Sequence, residues 1–237
     1  MNGEHMATPT APIRLAIVED EHLYRDLLRT VLQLDTQLEV VGDYATAQEA
    51  LDEVPRVSPG VALLDIELGG SMNGVQLGLL LREKLPDLGI VLLSNVRAPR
   101  LLASIPQAQV SGWSYLLKKS VRDARVLRRA IDGAGMGLVT LDPSLVAGRH
   151  PRDHGALSAV TPRQLEILSL VAEGWSNDAI AQRLGLSVKT VENQLTLTYG
   201  ELGLDRDKDP VHPRVKAVLL YLAETRETTP LVDPPQG

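Results

Sequence analysis

Five polar positions along the first half of the chain carry the groups that a phosphoryl-transfer site needs. Each follows a short apolar run: the pair Glu19 and Asp20, then Asp65, Ser94 and Lys118. Clustered carboxylates repel one another, and a divalent cation that prefers oxygen ligands relieves this repulsion. A lysine ammonium and a serine hydroxyl both donate hydrogen bonds to phosphoryl oxygens. The set therefore suits Mg²⁺-dependent phosphoryl transfer onto a carboxylate.

These positions are predicted to lie at the ends of strands within an alternating pattern of strands and helices. Such alternation indicates a parallel sheet with right-handed crossovers, whose strands end at a common edge. We expect Pro55 to end the second helix, because proline removes a hydrogen bond from a helix interior. Short apolar runs predict strands at 13–18, 38–41, 61–64, 90–93 and 113–117. Helical spacing of apolar residues predicts helices at 21–34, 45–54, 73–85, 97–105 and 121–133.

Each candidate residue also has an ordinary structural explanation when it is considered alone. An aspartate after a strand is most often a helix cap, so Asp65 and the pair Glu19-Asp20 could each serve that role. A single lysine such as Lys118 is usually solvated, and Tyr115 alone would be a core residue. Only their joint placement at successive strand ends favours a phosphoryl site.

In combination, these residues make the segment 12–137 resemble a response-regulator receiver domain. The resemblance implies an α/β fold, a doubly wound five-stranded parallel sheet of the flavodoxin-like type, with strand order 2-1-3-4-5. It also implies that a sensor histidine kinase phosphorylates Asp65. The implied Mg²⁺ ligands are Glu19, Asp20, Asp65 and the backbone carbonyl of Glu67. The implied phosphoryl-contacting and switch residues are Ser94, Lys118 and Tyr115.

The loop after Asp65 departs from the receiver pattern. Residues 66–74 lack the usual proline, and this loop is about one residue longer than is usual in the family. Asn95 replaces the small residue that usually follows the switch hydroxyl, where it could crowd the phosphoryl pocket. These departures leave open an atypical regulator that works without phosphorylation.

The second half of the chain carries the start and stop signals of a helix-turn-helix. Thr161 and Gln164 form a capping-box pattern around a helix that Gly174 ends. Ser176 is the expected cap of a helix at 177–184, and Ser187 that of a third helix at 188–202. Two capped helices joined by a short glycine turn are typical of this motif, although many helical hairpins share the pattern.

The residues within these helices resemble a LuxR-type DNA-binding domain. The matching segments are TPRQLEIL from Thr161, AEGWSN from Ala172 and SVKTVEN from Ser187. Joined to a receiver, they resemble a NarL/FixJ-type transcriptional regulator. This resemblance implies a homodimer that binds double-stranded promoter DNA, with a last helix at 215–224 that often serves dimerisation. The implied DNA-binding residues are Glu192, Asn193 and Thr196 for bases, and Arg183, Lys189 and Thr190 for phosphates.

The charge of the second half is unusual for a DNA-binding module. Residues 157–225 contain seven Lys or Arg and nine Asp or Glu, a net charge of −2. A DNA backbone favours basic surfaces, so a protein-interaction output without DNA binding stays open as an alternative. An enzyme acting on an external substrate is the least favoured alternative, because no further nucleophile and base accompany the acidic residues.

Length and composition bound the organisation of the chain. The 237 residues suggest two domains, and the absence of cysteine excludes disulfides and thiolate metal sites. No apolar run resembles a signal peptide or a membrane span, so we expect a cytoplasmic protein without a membrane partner. The predicted divisions are a receiver at 12–137, a linker at 138–156, a helix-turn-helix domain at 157–225 and a disordered tail at 226–237.

Overall fold

The computed structural model describes residues 11–97, 105–147, 149–151, 155–204 and 211–227. The chain divides into two compact units, Met1–Leu93 and Ser94–Gly237. The strands of the main sheet are β1 (Ile13–Val18), β2 (Leu38–Tyr44), β3 (Val61–Asp65), β4 (Gly89–Ser94), β5 (Trp113–Leu117) and β6 (Thr140–Leu141). Their order is β2-β1-β3-β4-β5-β6. The pairs β1–β2, β1–β3, β3–β4 and β5–β6 are parallel.

Helices α1 to α3 accompany the first strands, and the other α-helices of the described residues follow β5. They are α1 (His22–Gln33), α2 (Ala47–Val57), α3 (Gly74–Lys84), α4 (Ala124–Gly135), α5 (Pro143–Val146), α6 (Pro162–Ala172), α7 (Asn177–Leu184), α8 (Val188–Glu201) and α9 (Pro213–Glu224). Two further strands, β7 (Arg149–Pro151) and β8 (Thr225–Glu227), pair antiparallel. The predicted fold class, a parallel α/β sheet followed by a small helical domain, is confirmed.

The strand β3 lies between β1 and β4, and all five of its residues are buried. This explains its continuous apolar sequence, because a parallel strand covered on both faces has no polar side. The predicted helix at 97–105 falls mostly on residues that the structure does not describe. None of the helices in the described ranges combines the length and apolar character needed to cross a membrane.

The prediction that Pro55 ends the second helix was wrong. Helix α2 continues through Pro55 to Val57 and ends at Ser58, which has a left-handed φ of 44°. Proline has no N–H to donate to the carbonyl of Leu51, four residues earlier. The ammonium of Lys84 donates to that oxygen instead, at 3.1 Å. A partner 33 residues away therefore compensates for the missing helical hydrogen bond.

The main sheet has six strands rather than the predicted five. The additional strand β6 belongs to the predicted linker, and its Thr140 and Leu141 pair with Ser114 and Tyr115 of β5. Asp142 extends this contact, because its carboxylate accepts the N–H of Leu117 at 2.9 Å. A strand of two residues is too short to show a period of two, so the sequence pattern missed it.

The helices of the helical domain begin and end close to the predicted residues. Thr161 and Gln164 form the predicted capping box, and the hydroxyls of Ser176 and Ser187 cap α7 and α8. Gly185 takes a left-handed φ of 65° in the turn between α7 and α8. The predicted tail differs at its start, because β8 includes two of its residues, Arg226 and Glu227.

Candidate functional site

Three carboxylates meet where β1 and β3 end. Glu19, Asp20 and Asp65 each offer an oxygen atom, and these oxygens lie within 4.8 Å of one another. Glu19 and Asp65 are buried, with 0% and 2% of their surface exposed, whereas Asp20 is exposed. A set of oxygen ligands of this kind, open on one side, fits a hard divalent cation such as Mg²⁺.

The register of the sheet explains why these carboxylates meet. Val18, the last residue of β1, pairs with Leu64 of β3. The next residue along each parallel strand is Glu19 or Asp65, so both carboxylates lie at the same level of the sheet. The Glu19 carbonyl also accepts a hydrogen bond from Arg25 Nη1 at 2.5 Å, which attaches this segment to α1.

Each of the three carboxylates accepts a hydrogen bond from a backbone N–H. The donor is Glu21 for Glu19, at 3.3 Å, and Glu67 for Asp65, at 3.1 Å. Gly69 donates to Asp20, also at 3.1 Å. Backbone donors stabilise the ionised form of a carboxylate, so they help three negative charges to share one site.

Gly74 holds the loop after Asp65 close to β3, a role that its place in the sequence did not indicate. Its N–H donates to the carbonyl of Ile66 at 3.1 Å. A Cβ atom at position 74 would lie 2.1 Å from the carbonyl oxygen of Asp65, so only glycine fits there. Glu67 belongs to the same loop, and its side chain is exposed. The metal-binding role of the Glu67 backbone carbonyl stays a prediction.

Tyr24 is a second residue that the sequence analysis missed. Burial raises the pKa of its phenol above the usual range, and the negative charges of Glu19, Asp65 and Glu21 raise this pKa further. The hydroxyl therefore stays protonated and can act as a hydrogen-bond donor. Its place in α1 just after the acidic pair was the only available signal in the sequence.

The candidate switch residues Ser94 and Tyr115 share one hydrogen-bond acceptor in the second compact unit. Ser94 Oγ donates to the carbonyl of Val96 at 3.2 Å and accepts the Val96 N–H at 3.0 Å. The Tyr115 hydroxyl donates to the same Val96 carbonyl. Lys118 follows β5 and is 9% exposed, while Asn95 is exposed. The roles of Ser94, Tyr115 and Lys118 towards Asp65 stay predictions.

Four of the six candidate DNA-binding residues share the exposed face of α8. Lys189, Glu192, Asn193 and Thr196 are exposed and line a groove of about 910 Å³ beside the start of α9. The ammonium of Lys189 lies 3.5 Å from the carboxylate of Glu192. The positive charge that a DNA phosphate would attract is therefore compensated within the helix.

The other two candidate residues have contacts within the chain. Thr190 is half-buried, and its N–H donates to the capping hydroxyl of Ser187. The guanidinium of Arg183 lies 5.2 Å from the centre of the Trp175 ring, and that of Arg129 lies 4.3 Å from it. These distances are within the range of cation–π attraction, so Trp175 contacts both α4 and α7.

Arg214 supports the helix-turn-helix from α9, a role that sequence reasoning did not find. Its guanidinium donates to the side-chain oxygen of Asn177 at 3.1 Å and to the carbonyl of Trp175. Burial lowers its pKa. Two residues of the apolar face expected to serve dimerisation, Val215 and Val218, are buried within the chain.

Comparison with known proteins agrees with the resemblances seen in the sequence. Residues 15–132 match the response regulator receiver domain, and residues 158–212 match the bacterial regulatory proteins of the luxR family. The DNA-binding transcriptional activator DevR/DosR of Mycobacterium tuberculosis is 30% identical over 200 residues, which cover 82% of this chain and 90% of the relative. The transcriptional regulatory protein DesR of Bacillus subtilis is 31% identical over 194 residues, covering 80% and 90%.

A structural relative supports the same fold. The structure described as two RcsB dimers bound to two parallel DNAs is similar to this chain, with a TM-score of 0.50 and 21% identity. The similarity covers 90% of this chain and 98% of that one.

The chain therefore belongs to the response regulators that join a receiver domain to a LuxR-type DNA-binding domain. Within that class it is a two-component transcriptional regulator of the NarL/FixJ type, as the sequence analysis predicted.

Proposed function

We propose that a sensor histidine kinase phosphorylates Asp65 and that this modification controls the binding of promoter DNA through α8. The observation that carries the proposal is the group of three carboxylate oxygens within 4.8 Å at the ends of β1 and β3. Glu19, Asp20, Asp65 and the backbone carbonyl of Glu67 would hold Mg²⁺. The bound cation would neutralise the negative charge of the incoming phosphoryl group.

In this proposal the chain acts on itself and not on an external substrate, so it is not an enzyme in the usual sense. An oxygen of Asp65 attacks the phosphorus, a new O–P bond forms, and the N–P bond of the kinase phosphohistidine breaks. Lys118 neutralises a phosphoryl oxygen, and Ser94 donates to another. When Ser94 turns to the phosphoryl group, Tyr115 retains the Val96 carbonyl that both hydroxyls share in this structure.

The output in this proposal is a homodimer on DNA in the cytoplasm, without a membrane partner. Asn193 pairs with adenine, Glu192 accepts from cytosine, and Thr196 contacts a further base edge. Arg183, Lys189 and Thr190 bind phosphates. Two copies bind two half-sites, which helps to offset the small number of cations on each copy. The relative described as a DNA-binding transcriptional activator supports this assignment.

The proposed phosphorylation is tested by adding beryllofluoride with Mg²⁺, or a small phosphodonor, to the full chain. We expect a phosphoryl adduct by mass spectrometry with the phosphodonor, and tighter binding to the upstream region of its own gene with either reagent. Asp65→Asn should abolish both responses. Asp52→Asn makes the same change at an exposed position of α2 and should respond as the wild type does. An unmodified wild-type chain with unchanged DNA binding would contradict the proposal.

A protein-interaction output is the second candidate function. The contact between Lys189 and Glu192 and the net charge of −2 over 157–225 favour it, because both weaken attraction to phosphates. In the same experiment, a phosphoryl adduct on Asp65 without any DNA binding would support this candidate.

A further inference from the structure

The loop that joins β3 to α3, residues 66–73, donates backbone hydrogen bonds to two carboxylates of the candidate metal site. The bond from Glu67 to Asp65 is local, since the two residues are two positions apart. The bond from Gly69 to Asp20 is different, because it joins residues 49 positions apart. It connects the segment after β3 to the segment after β1, and thus two elements that supply the carboxylates.

Asp20 is the carboxylate that most needs such a connection. Glu19 and Asp65 are buried, so packing restricts their side chains. Asp20 is exposed, and its side chain would otherwise be free to turn into solvent, away from the other two negative charges. The N–H of Gly69 holds one oxygen, Oδ2, at 3.1 Å. The second oxygen and the remaining lone pair stay available to a cation.

Gly69 lies close to the Asp20 side chain. A Cβ atom there would lie 3.1 Å from Asp20 Oδ2, a tight contact that this exposed side chain can relieve by moving a few tenths of an ångström. A proline at this position could not donate at all, since it has no N–H. The N–H of Gly69 therefore supplies a hydrogen-bond donor directed at the candidate metal site.

We infer that Gly69 is a positioning residue for the cation, because its backbone N–H orients Asp20 within the group of three carboxylates. Hydrogen bonds to the ligands of a metal commonly change its affinity by about 10- to 100-fold. Closure of the loop on Asp20 and binding of the cation then favour each other. This inference rests on the proposed function, since it concerns how the same site holds Mg²⁺.

Two substitutions at position 69 separate the effect of losing the hydrogen bond from the effect of adding a side chain. Gly69→Ala adds a Cβ atom and keeps the N–H, whereas Gly69→Pro adds the same Cβ atom and removes the N–H. The measurement is the dissociation constant of Mg²⁺ by titration calorimetry on the full chain, with Mn²⁺ titration by electron paramagnetic resonance as a second probe. We expect Gly69→Ala to bind within about threefold of the wild type, and Gly69→Pro at least about tenfold more weakly.

The outcomes distinguish the inference from the function on which it rests. Equal binding by the two variants would overturn the role of Gly69 and leave the metal site intact. Absence of Mg²⁺ binding in the wild type and both variants would overturn the proposed site together with the inference.

Hydrogen exchange decides the question if Gly69→Pro does not fold. In the wild type, we expect the amide hydrogen of Gly69 to exchange at least about tenfold more slowly than in Asp20→Ala, because that variant removes the acceptor. Equal exchange rates would contradict the hydrogen bond and with it the inference.

Discussion

The acidic site, formed by Glu19, Asp20 and Asp65, and the exposed face of α8 organise their charged groups in opposite ways. In the acidic site, every carboxylate accepts a backbone N–H, and two of the three side chains are buried. On α8, the candidate base-contacting side chains are exposed. The charge of Lys189 is compensated by the side chain of Glu192, only one turn away.

This difference bears on how each site tolerates sequence change. Backbone donors do not depend on side-chain identity, so the acidic site keeps its arrangement although its loop departs from the family pattern. The α8 face depends on its side chains, so a substitution there changes its chemistry directly. The first site should be sensitive to changes that move the backbone, and the second to changes of charge.

Gly74→Ala should give the largest effect, because it forces the backbone of the acidic site apart. The new Cβ atom would lie 2.1 Å from the carbonyl oxygen of Asp65. We expect a loss of about 3 kcal/mol in the free energy of unfolding, measured by urea denaturation. A loss below about 0.5 kcal/mol would show that the backbone of this loop adapts easily. The acidic site would then not be sensitive to changes that move its backbone.

Glu192→Gln should strengthen DNA binding, because it frees the charge of Lys189. We expect about tenfold tighter binding to non-specific duplex DNA at low salt, and a salt dependence steeper by about one unit. Glu201→Gln, a change of the same charge at the far end of α8, is the control and should have a smaller effect. Equal effects of the two variants would show that net charge matters rather than the contact with Lys189.

Gly200→Ala should stabilise the chain, in contrast to the same change at Gly74. Gly200 lies within α8, and no atom is found within 4 Å of the place that its Cβ would take. We expect a gain of about 1 kcal/mol in the free energy of unfolding, from helix propensity alone. Gly203 has a φ of 66° and provides the control. Gly203→Ala should lose about 1 kcal/mol, since a left-handed conformation disfavours a Cβ atom.

Lys84→Met should give the smallest effect. It tests a backbone group outside the acidic site, the carbonyl of Leu51. The ammonium of Lys84 donates to this carbonyl, which Pro55 leaves without a helical donor. We expect a loss of about 0.5 kcal/mol in the free energy of unfolding. In a Pro55→Ala background the helix supplies its own N–H, so the loss should disappear. An unchanged loss in that background would indicate that Lys84 acts through other contacts.

The sequence predicted those features that depend on local chemistry. The strands around Asp65, the capping hydroxyls of Ser176 and Ser187, and the class of fold follow from neighbouring residues, and the structure agrees with each. The acidic residues were predicted to gather because parallel strands end at one edge, and Glu19, Asp20 and Asp65 do lie together.

The features that were missed depend on contacts between distant parts of the chain. Pro55 lies inside α2, and Lys84, distant in sequence, donates to the carbonyl that Pro55 leaves without a helical donor, which no local pattern reveals. Arg149 in β7 contacts the end of α9 more than 70 positions later, and this explains why the predicted tail begins inside a strand. Glycines that allow close approach, such as Gly69 and Gly74, look like ordinary loop residues until their neighbours are known.

The short strand β6 has a consequence for the first domain as an isolated fragment. In the intact chain, Asp142 accepts the N–H of Leu117 and donates its own N–H to the carbonyl of Tyr115. A fragment that stopped at residue 137 would leave this border of β5 open, and an open border invites pairing between molecules. We therefore expect the segment that contains β6 to limit self-association of the receiver domain, although it lies outside that domain's predicted boundary.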